Sequence, residues 1–153
     1  MRWIRHACRA VIVRDGRLLT IKMCDRSGIF YILPGGGQNH GETMSAGLRR
    51  ECLEEINLEV TVGKLLYVRE YIGRNHRFSK SHRNFHQVEA VFSCSIPDGA
   101  EPAAGTETDR KQIGIEWLEI DRLRNVRFLP GEAIPFICNE NAADQNRYLG
   151  DIN

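Results

Sequence analysis

Several features that would assign this chain to a particular class of protein are missing from its sequence. Lysine and arginine total 21 against 20 acidic residues, so a formal net charge of +1 gives no reason to expect a nucleic-acid polymer or a membrane as partner. The five cysteines are odd in number and never form a C-x-x-C pair, which argues against a disulfide framework and a zinc site. They are more typical of small buried apolar groups in a reducing compartment.

Long apolar runs are missing as well. The longest run near the N-terminus covers only residues 10–13, far short of the roughly 20 residues that a membrane-spanning helix needs. The same stretch lacks the apolar centre of a secretory signal. We therefore expect a cytoplasmic protein. Its composition, 27% charged and 42% apolar, is that of an ordinary globular protein, and its length suits a single domain over residues 1–153.

Two common nucleotide-binding signatures are absent. No G-x-G-x-x-G follows a strand, and no G-x-x-x-x-G-K-[ST] occurs, so neither a Rossmann domain nor a P-loop is expected. His76, His82 and His86 lack the spacing of metal ligands, and we expect them on the surface or, for His86, in the core. The segment 73–84 is polar and basic and predicts a solvated surface loop, with contact to substrate phosphates as the alternative.

Short runs of β-forming residues predict five or six strands. Asp15 and Gly16 lie between two such runs and predict a β-hairpin over residues 8–23, because a type I′ turn needs positive φ at both central positions. Gly63 marks an expected bend or bulge. The other strands are predicted over residues 29–33, 58–72, 85–96 and 113–120. With a short helix ending near residue 138 and a polar, poorly packed tail from about residue 139, they predict a mixed α/β or α+β domain.

One longer helix is predicted to begin at Thr43, whose hydroxyl suits an N-cap. Apolar residues at steps of four give this helix one apolar face; they are Met44, Leu48, Cys52 and Ile56. Asn57 suits the end of the helix, because asparagine tolerates the left-handed conformation that often follows a last helical turn.

Three consecutive glycines, Gly35, Gly36 and Gly37, precede this helix. Glycine loses more backbone freedom on folding than any other residue, so a regular element rarely uses a run of it. The run is typical of a tight turn, or of a backbone that comes close to a ligand. We therefore predict that the three glycines contribute to substrate binding.

Three carboxylates lie on one face of the predicted helix, because Glu51, Glu54 and Glu55 are spaced i, i+3 and i+4. Like charges at this spacing destabilise a helix by roughly 0.2–0.5 kcal/mol per pair. A hard divalent cation, which takes oxygen ligands, would turn that repulsion into attraction. The alternative is an ordinary solvated helix face.

The stretch from Gly36 to Leu58 resembles the signature box of the Nudix hydrolases. That box is a glycine, five residues, a glutamate, seven residues, then Arg-Glu, an apolar residue, any residue, Glu-Glu, any residue, a glycine and an apolar residue. Eight of its nine defining positions match, and the exception is Asn57 in place of the glycine. The resemblance implies the family's α/β/α sandwich with a mixed sheet and a loop–helix–loop catalytic motif. It also implies hydrolysis of a nucleoside diphosphate linked to another group, with Mg²⁺ or Mn²⁺.

The resemblance also implies roles for individual residues. The metal ligands would be Glu51, Glu54 and Glu55, with Glu42 as a weaker candidate. One of these glutamates would also take the proton from water, and Arg50 would orient Glu51 through a bidentate pair.

Members of this family often add a further acid from a loop beyond the box. The acidic segment 97–112 offers Glu107 and Asp109 as candidates. We expect one of them to swing toward the metal site when substrate binds, as a ligand or as the base for water.

Two functions are compatible with these residues. The first is a hydrolase acting on a nucleoside triphosphate, ADP-ribose, a nucleotide sugar or a dinucleoside polyphosphate. The second is a catalytically weak Nudix-fold module that senses a nucleotide, but such modules usually lose box glutamates and this chain keeps them all. Non-hydrolytic use of the fold, as in an isomerase, has no support in the sequence. A homodimer is possible by analogy with relatives.

Overall fold

In residues 3–76, 79–107, 109–138 and 146–153, which the computed structural model describes, the chain forms eight strands and three α-helices. The strands are β1 (Arg5–Arg14), β2 (Arg17–Asp25), β3 (Gly28–Ile32), β4 (Gly35–Gly37), β5 (Thr61–Ile72), β6 (His86–Ser95), β7 (Gln112–Glu119) and β8 (Tyr148–Asp151). The helices are α1 (Met44–Ile56), α2 (Ser79–His82) and α3 (Ile134–Ile137), with 3₁₀ turns at Gly73–Asn75, Ile120–Asn125 and Gly131–Ala133.

The strands form a mixed sheet in the order β3-β2-β1-β6-β5-β8, with β4 paired to β1 and β7 paired to β2. The β1–β6 and β5–β8 pairs are parallel, and the other strand pairs are antiparallel. The predicted mixed α+β architecture is therefore confirmed. The parallel pairing of β1 with β6 places the N-terminal half of β6 beside the start of β1, next to β4 and α1.

Local turn signals in the sequence are confirmed. Asp15 and Gly16 have φ values of 51° and 73°, as a type I′ turn requires, and they join β1 to β2. The pairing of β5 with β6 shifts register between Val62 and Leu65, which is the irregularity expected around Gly63.

Two apolar cores lie on opposite faces of the sheet, because alternate residues of a strand point to opposite sides. On one face, α1 buries Leu48, Cys52 and Ile56 completely. Met44 is 39% exposed, so the prediction that it belongs to the buried face of α1 is wrong. The other face is covered by the C-terminal turns; its buried residues include Tyr67, Leu123, Phe128, Ile134 and Ile137.

Three further expectations need correction. Gly35–Gly37 is not a turn but a short strand paired with residues 7–9 of β1. The tail is packed where it is described, because Tyr148–Asp151 pairs with β5; residues 139–145 lie outside the described residues. The segment 73–84 contains a 3₁₀ turn and α2, with residues 77–78 outside the described part.

Of the five cysteines, Cys8 and Cys52 are buried as expected, whereas Cys24 is exposed. Within the described ranges, no helix combines the length and apolar character needed to cross a bilayer.

Candidate functional site

Helix α1 carries the predicted metal ligands Glu51, Glu54 and Glu55. Residues that the sequence singled out cap both of its ends. The Thr43 hydroxyl accepts a hydrogen bond from the Ala46 N–H at 3.1 Å. Asn57 is left-handed at φ 53° and its N–H donates to the Leu53 carbonyl at 3.1 Å. These caps define where α1 starts and stops, and so where its carboxylates lie.

The glycines of β4 allow the strand backbone to lie against those carboxylates. A Cβ on Gly36 would come within 2.2 Å of Glu51 Oε2. Gly35 has φ +132°, and a Cβ there would come within 2.2 Å of the Cys8 carbonyl oxygen. The Gly35 N–H donates to Glu55 Oε2 at 2.9 Å. The glycine run therefore brings the backbone close to the protein's own carboxylates, and substrate binding by the three glycines stays a prediction.

Arg50 connects the acids on one side of α1. Its Nε and Nη2 donate to the two oxygens of Glu42 at 3.2 and 2.6 Å, a bidentate pair. Its Nη1 donates to Glu51 Oε1 at 2.9 Å and to Glu54 Oε2 at 3.1 Å. These bonds raise the pKa of Arg50. The prediction of a bidentate pair between Arg50 and Glu51 is wrong, since that pair forms with Glu42.

Both carboxylate oxygens of Glu42 already accept hydrogen bonds within the protein. Besides Arg50, it accepts the Asn39 N–H at 2.6 Å. The hydrogen bonds from Arg50 and then from Asn39 lower the pKa of the Glu42 carboxyl. Glu42 does not line the cleft that the other predicted acids share. The geometry thus favours Glu42 as the partner that holds Arg50 in place.

The remaining predicted acids line one cleft of about 540 Å³, which we call the acidic cleft. Its carboxylates are Glu51, Glu54, Glu55, Glu107 and Asp109. Three arginines, Arg5, Arg9 and Arg50, line the same cleft. The structure therefore brings together three of the four box glutamates and both loop candidates, and it adds Arg5 and Arg9, which were not predicted.

The acidic loop reaches the cleft by capping α1. The last carbonyls of a helix have no partner within it, and here three loop N–H groups supply partners. Ala103, Gly105 and Glu107 donate to the carbonyls of residues 56, 55 and 54 at 3.0, 3.2 and 3.1 Å. A Cβ on Gly105 would come within 1.8 Å of the Glu54 carbonyl oxygen, so glycine is required for this contact.

The other end of the loop is held by Arg14, which donates to the Ala100 carbonyl at 2.7 Å and to Glu101 at 2.6 Å. The loop is thus docked beside the box, and a movement of Glu107 or Asp109 when substrate binds stays a prediction. Gly105, a glycine inside an acidic segment, was the one sequence signal for this docking.

Glu55 differs electrostatically from its neighbours. Burial raises the pKa of this carboxyl, and the Gly35 N–H and the Arg9 charge oppose that effect without cancelling it. The negative charge of Glu51 adds to the rise. A cation in the cleft would therefore stabilise the ionised form of Glu55.

A buried ionic network behind the cleft was not predicted. Glu89 is 3% exposed and accepts hydrogen bonds from Arg69 Nε at 2.9 Å, Arg9 Nε at 3.2 Å and Gln87 Nε2 at 2.8 Å. Burial opposes ionisation of Glu89, yet the charges and hydrogen bonds of the two arginines outweigh it and lower its pKa. Arg9 also donates to the Gly35 carbonyl at 2.8 Å, which links this network to β4.

The carboxylates of the acidic cleft suit a hard divalent cation, because Mg²⁺ and Mn²⁺ prefer oxygen ligands. In the described parts of the chain, however, no three His, Cys, Asp or Glu side chains already converge at the spacing of a metal site. Arg50 explains the spacing, since its Nη1 lies between Glu51 and Glu54 and donates to both. The donor set fits such an ion, and rotation of these side chains would be needed to close around it.

A family model described as the NUDIX domain matches residues 4–138. A nucleoside triphosphatase, NudI, of Enterobacter sp. (strain 638) is 33% identical over 89 residues, covering 55% of this chain and 63% of that protein. A MutT-like protein of Streptomyces ambofaciens is 32% identical over 115 residues, covering 74% of this chain and 62% of that protein. The matches thus span less than two thirds of either relative.

Solved structures share the fold. A MutT NUDIX hydrolase from Burkholderia pseudomallei superposes with a TM-score of 0.59 and 28% identity, covering 78% of this chain and 85% of that one. A NUDIX hydrolase from Nitrosomonas europaea gives a TM-score of 0.71 over 100% of this chain and 81% of that one. At 18% identity, the second likeness shows the fold alone.

Proposed function

This chain belongs to the NUDIX family, and we propose that it is a pyrophosphohydrolase that uses a divalent metal ion to cleave a nucleoside diphosphate linked to another group. The observation that carries this proposal is the acidic cleft, in which five carboxylates and three arginines share one space of about 540 Å³. A polyphosphate and its metal ion need this combination of anionic and cationic groups.

Glu51, Glu54 and Glu55 are the residues that would hold the metal. A divalent ion bound there would neutralise phosphate charge and lower the pKa of a coordinated water. Glu42 has a different part in this proposal: it positions Arg50, which in turn orients Glu51 and Glu54.

The arginines would bind the phosphates. Arg5 and Arg9 are four residues apart on β1 and line the cleft together. Burial and the neighbouring charge of Arg9 lower the pKa of Arg5, so the charged form of Arg5 is disfavoured at this position. An anionic phosphate oxygen beside both guanidinium groups would relieve that repulsion, and charge-assisted hydrogen bonds of this kind are roughly twice as strong as neutral ones.

Glu107 and Asp109 are the loop residues proposed to assist the attack of water. Glu107 is held beside Glu54 by the backbone hydrogen bond between the two residues, so it needs no large movement to reach the cleft. A carboxylate in this position can accept the proton that water loses, a contribution typically worth about 10²–10⁴-fold in rate.

The substrate class is tested with a panel. NudI is named as a nucleoside triphosphatase, so nucleoside triphosphates come first, followed by ADP-ribose, nucleotide sugars and dinucleoside polyphosphates. Each is incubated with Mg²⁺ or Mn²⁺, with and without chelator, and the nucleotide and phosphate products are identified. We expect release of a nucleoside monophosphate from at least one compound and its loss with chelator. Nucleotide binding without turnover of any compound would instead favour the sensor module.

A further inference from the structure

A second cavity of about 260 Å³ adjoins the acidic cleft, and we call it the side pocket. The two cavities share four lining residues: Arg9, Met23, Ile32 and Asp109. A group joined to a phosphate chain in the acidic cleft could therefore enter the side pocket. Its volume lies just below the roughly 300–1,000 Å³ of sites for drug-sized ligands, so it suits one ring system.

The walls of the side pocket are apolar and partly aromatic. Met23 and Phe30 come from β2 and β3, Leu129 from the segment before α3, and Tyr71 from β5. The Arg127 guanidinium lies over the Phe30 ring, 4.9 Å from its centroid. Aromatic and apolar walls of this kind favour a planar ring, since any nucleobase can stack on an aromatic side chain.

The floor of the side pocket is rich in hydrogen-bond donors. Both oxygens of Glu89 already accept hydrogen bonds, Oε1 from Arg69 and Oε2 from Arg9 and Gln87. Gln87 Oε1 is also used, because it accepts from Arg5 Nη1 at 2.6 Å.

Two donors on the floor are left over. Arg9 and Arg69 use Nε and Nη1 for contacts with the protein. Within the described residues, neither Nη2 group has an acceptor, although both side chains line the pocket. Arg69 is 9% exposed, but neither Nη2 is among the fully buried polar atoms without a partner, so both donors reach the open space of the pocket. Hydrogen bonds from a charged donor are stronger than neutral ones, so a ligand that supplies acceptors there would be bound more tightly.

From these contacts, we propose that the side pocket binds a keto-bearing nucleobase, guanine or uracil, through an acceptor presented to Arg69 Nη2, while Arg9 faces the phosphates. This inference rests on the proposed function, because it takes the nucleotide phosphates to lie in the acidic cleft. Arginine pairs well with the O6 and N7 acceptors of guanine. At the positions of guanine O6 and uracil O4, adenine and cytosine carry an amino group, which is itself a donor and cannot accept from a guanidinium.

The test is binding of four nucleoside monophosphates, GMP, UMP, AMP and CMP, measured by isothermal titration calorimetry in the presence of chelator. All four carry the same phosphate, so differences between them report on the base. We expect GMP and UMP to bind about 5- to 150-fold more tightly than AMP and CMP, the discrimination typical of one good side-chain contact to a base edge. Equal or tighter binding of AMP or CMP, or no binding of any of the four, would overturn the proposal.

Two variants locate the effect. Arg69→Gln should remove most of the preference for GMP and UMP, whereas Arg122→Gln, which removes an exposed charge from the 3₁₀ turn Ile120–Asn125, should keep it. Leu129→Trp should fill the pocket and weaken binding of all four ligands by tenfold or more. Unchanged binding to Leu129→Trp would contradict the proposal even if Arg69→Gln fails to fold, as monitored by circular dichroism.

The same preparations are assayed for hydrolysis with Mg²⁺, which separates this inference from the proposed function. A base preference without hydrolysis would keep the side pocket and remove the enzymatic proposal. Hydrolysis without a base preference would keep the enzymatic proposal and overturn the proposed binding of a base in the side pocket.

Discussion

The two groups of buried or half-buried acids in this molecule are neutralised to different extents. The guanidinium of Arg50 on α1 donates to three carboxylates, one of them just before the helix, while the single carboxylate of Glu89 on β6 accepts from Arg9, Arg69 and Gln87. The three carboxylates that share Arg50 are Glu42, Glu51 and Glu54. The acidic cleft therefore has negative charge to spare for a cation, whereas both oxygens of the Glu89 carboxylate are already paired.

The difference in neutralisation indicates that the two groups of acids have different roles, one in ligand binding and the other in stability. Removing a carboxylate from an under-neutralised cluster relieves repulsion, so it costs little stability and mainly affects ligand binding. Removing the charge of Glu89, which pairs with both Arg9 and Arg69, leaves these two largely buried guanidinium groups without their ion-pair partner, which destabilises the fold. Variants at the two places should therefore separate activity from stability.

The largest expected effect is on catalysis in the acidic cleft. Glu54→Gln should lower kcat by about 10²–10⁴-fold while the free energy of unfolding stays close to that of the wild type. The matched control is Glu59→Gln, which changes an exposed glutamate just beyond α1 and should keep wild-type kcat. The measurement is steady-state hydrolysis at saturating Mg²⁺ together with urea unfolding. Near wild-type turnover in Glu54→Gln would contradict the role of this carboxylate.

The opposite pattern is expected at the buried network. Glu89→Gln should lower the free energy of unfolding by about 3–5 kcal/mol, because the two arginines lose the charge that compensates their burial. Glu101→Gln is the matched control: its carboxylate also pairs with an arginine, Arg14, but its side chain is 69% exposed, and its loss should cost no more than about 1 kcal/mol. Equal costs for the two variants, measured by urea unfolding, would contradict the comparison.

The pH dependence of stability sharpens this prediction. The native pKa of Glu89 lies below its ordinary value of 4.5, because the attraction of Arg9 and Arg69 outweighs the effect of burial. An acid of this kind binds fewer protons in the native state than in the unfolded state, so its stabilising effect is full well above pH 4.5 and is lost as the pH falls through the native pKa. The stability difference between wild type and Glu89→Gln should therefore shrink below pH 4.5. A difference that grows on acidification would contradict the assignment.

A smaller effect is expected at the junction between the acidic loop and α1. Gly105→Ala should lower the free energy of unfolding by about 1–3 kcal/mol and reduce kcat, because the added methyl group meets the Glu54 carbonyl oxygen and displaces Glu107. Gly131→Ala provides the control, since a Cβ there has no atom within 4 Å. Thermal unfolding and turnover of both variants are measured together. Wild-type behaviour of Gly105→Ala would show that the loop does not need this contact.

The parts of the fold that the sequence predicted are those determined by neighbours along the chain. The turn at Asp15 and Gly16, the cap at Thr43 and the stop at Asn57 each depend on the backbone preferences of one or two residues. The spacing of glutamates on α1 likewise follows from helix geometry alone. For these features, sequence reasoning and structure agree.

The features that were missed depend on residues far apart in the chain. Arg9 and Glu89 are 80 residues apart, and only the parallel pairing of β1 with β6 brings them together. Glu89 lies at a polar position of β6, which by itself favours solvent, but it is buried because it pairs with the charges of Arg9 and Arg69. Tyr148–Asp151 forms a strand for a similar reason: β5 offers a free edge that the polar composition of the tail does not reveal.

Titration of Mn²⁺ in a calorimeter tests whether the unmet negative charge of the acidic cleft binds a divalent cation. We expect saturable Mn²⁺ binding to the wild type and to Glu59→Gln, and binding at least about tenfold weaker, or about 1.4 kcal/mol less favourable, in Glu51→Gln. No saturable binding to the wild type, or equal affinity in Glu51→Gln, would contradict this expectation.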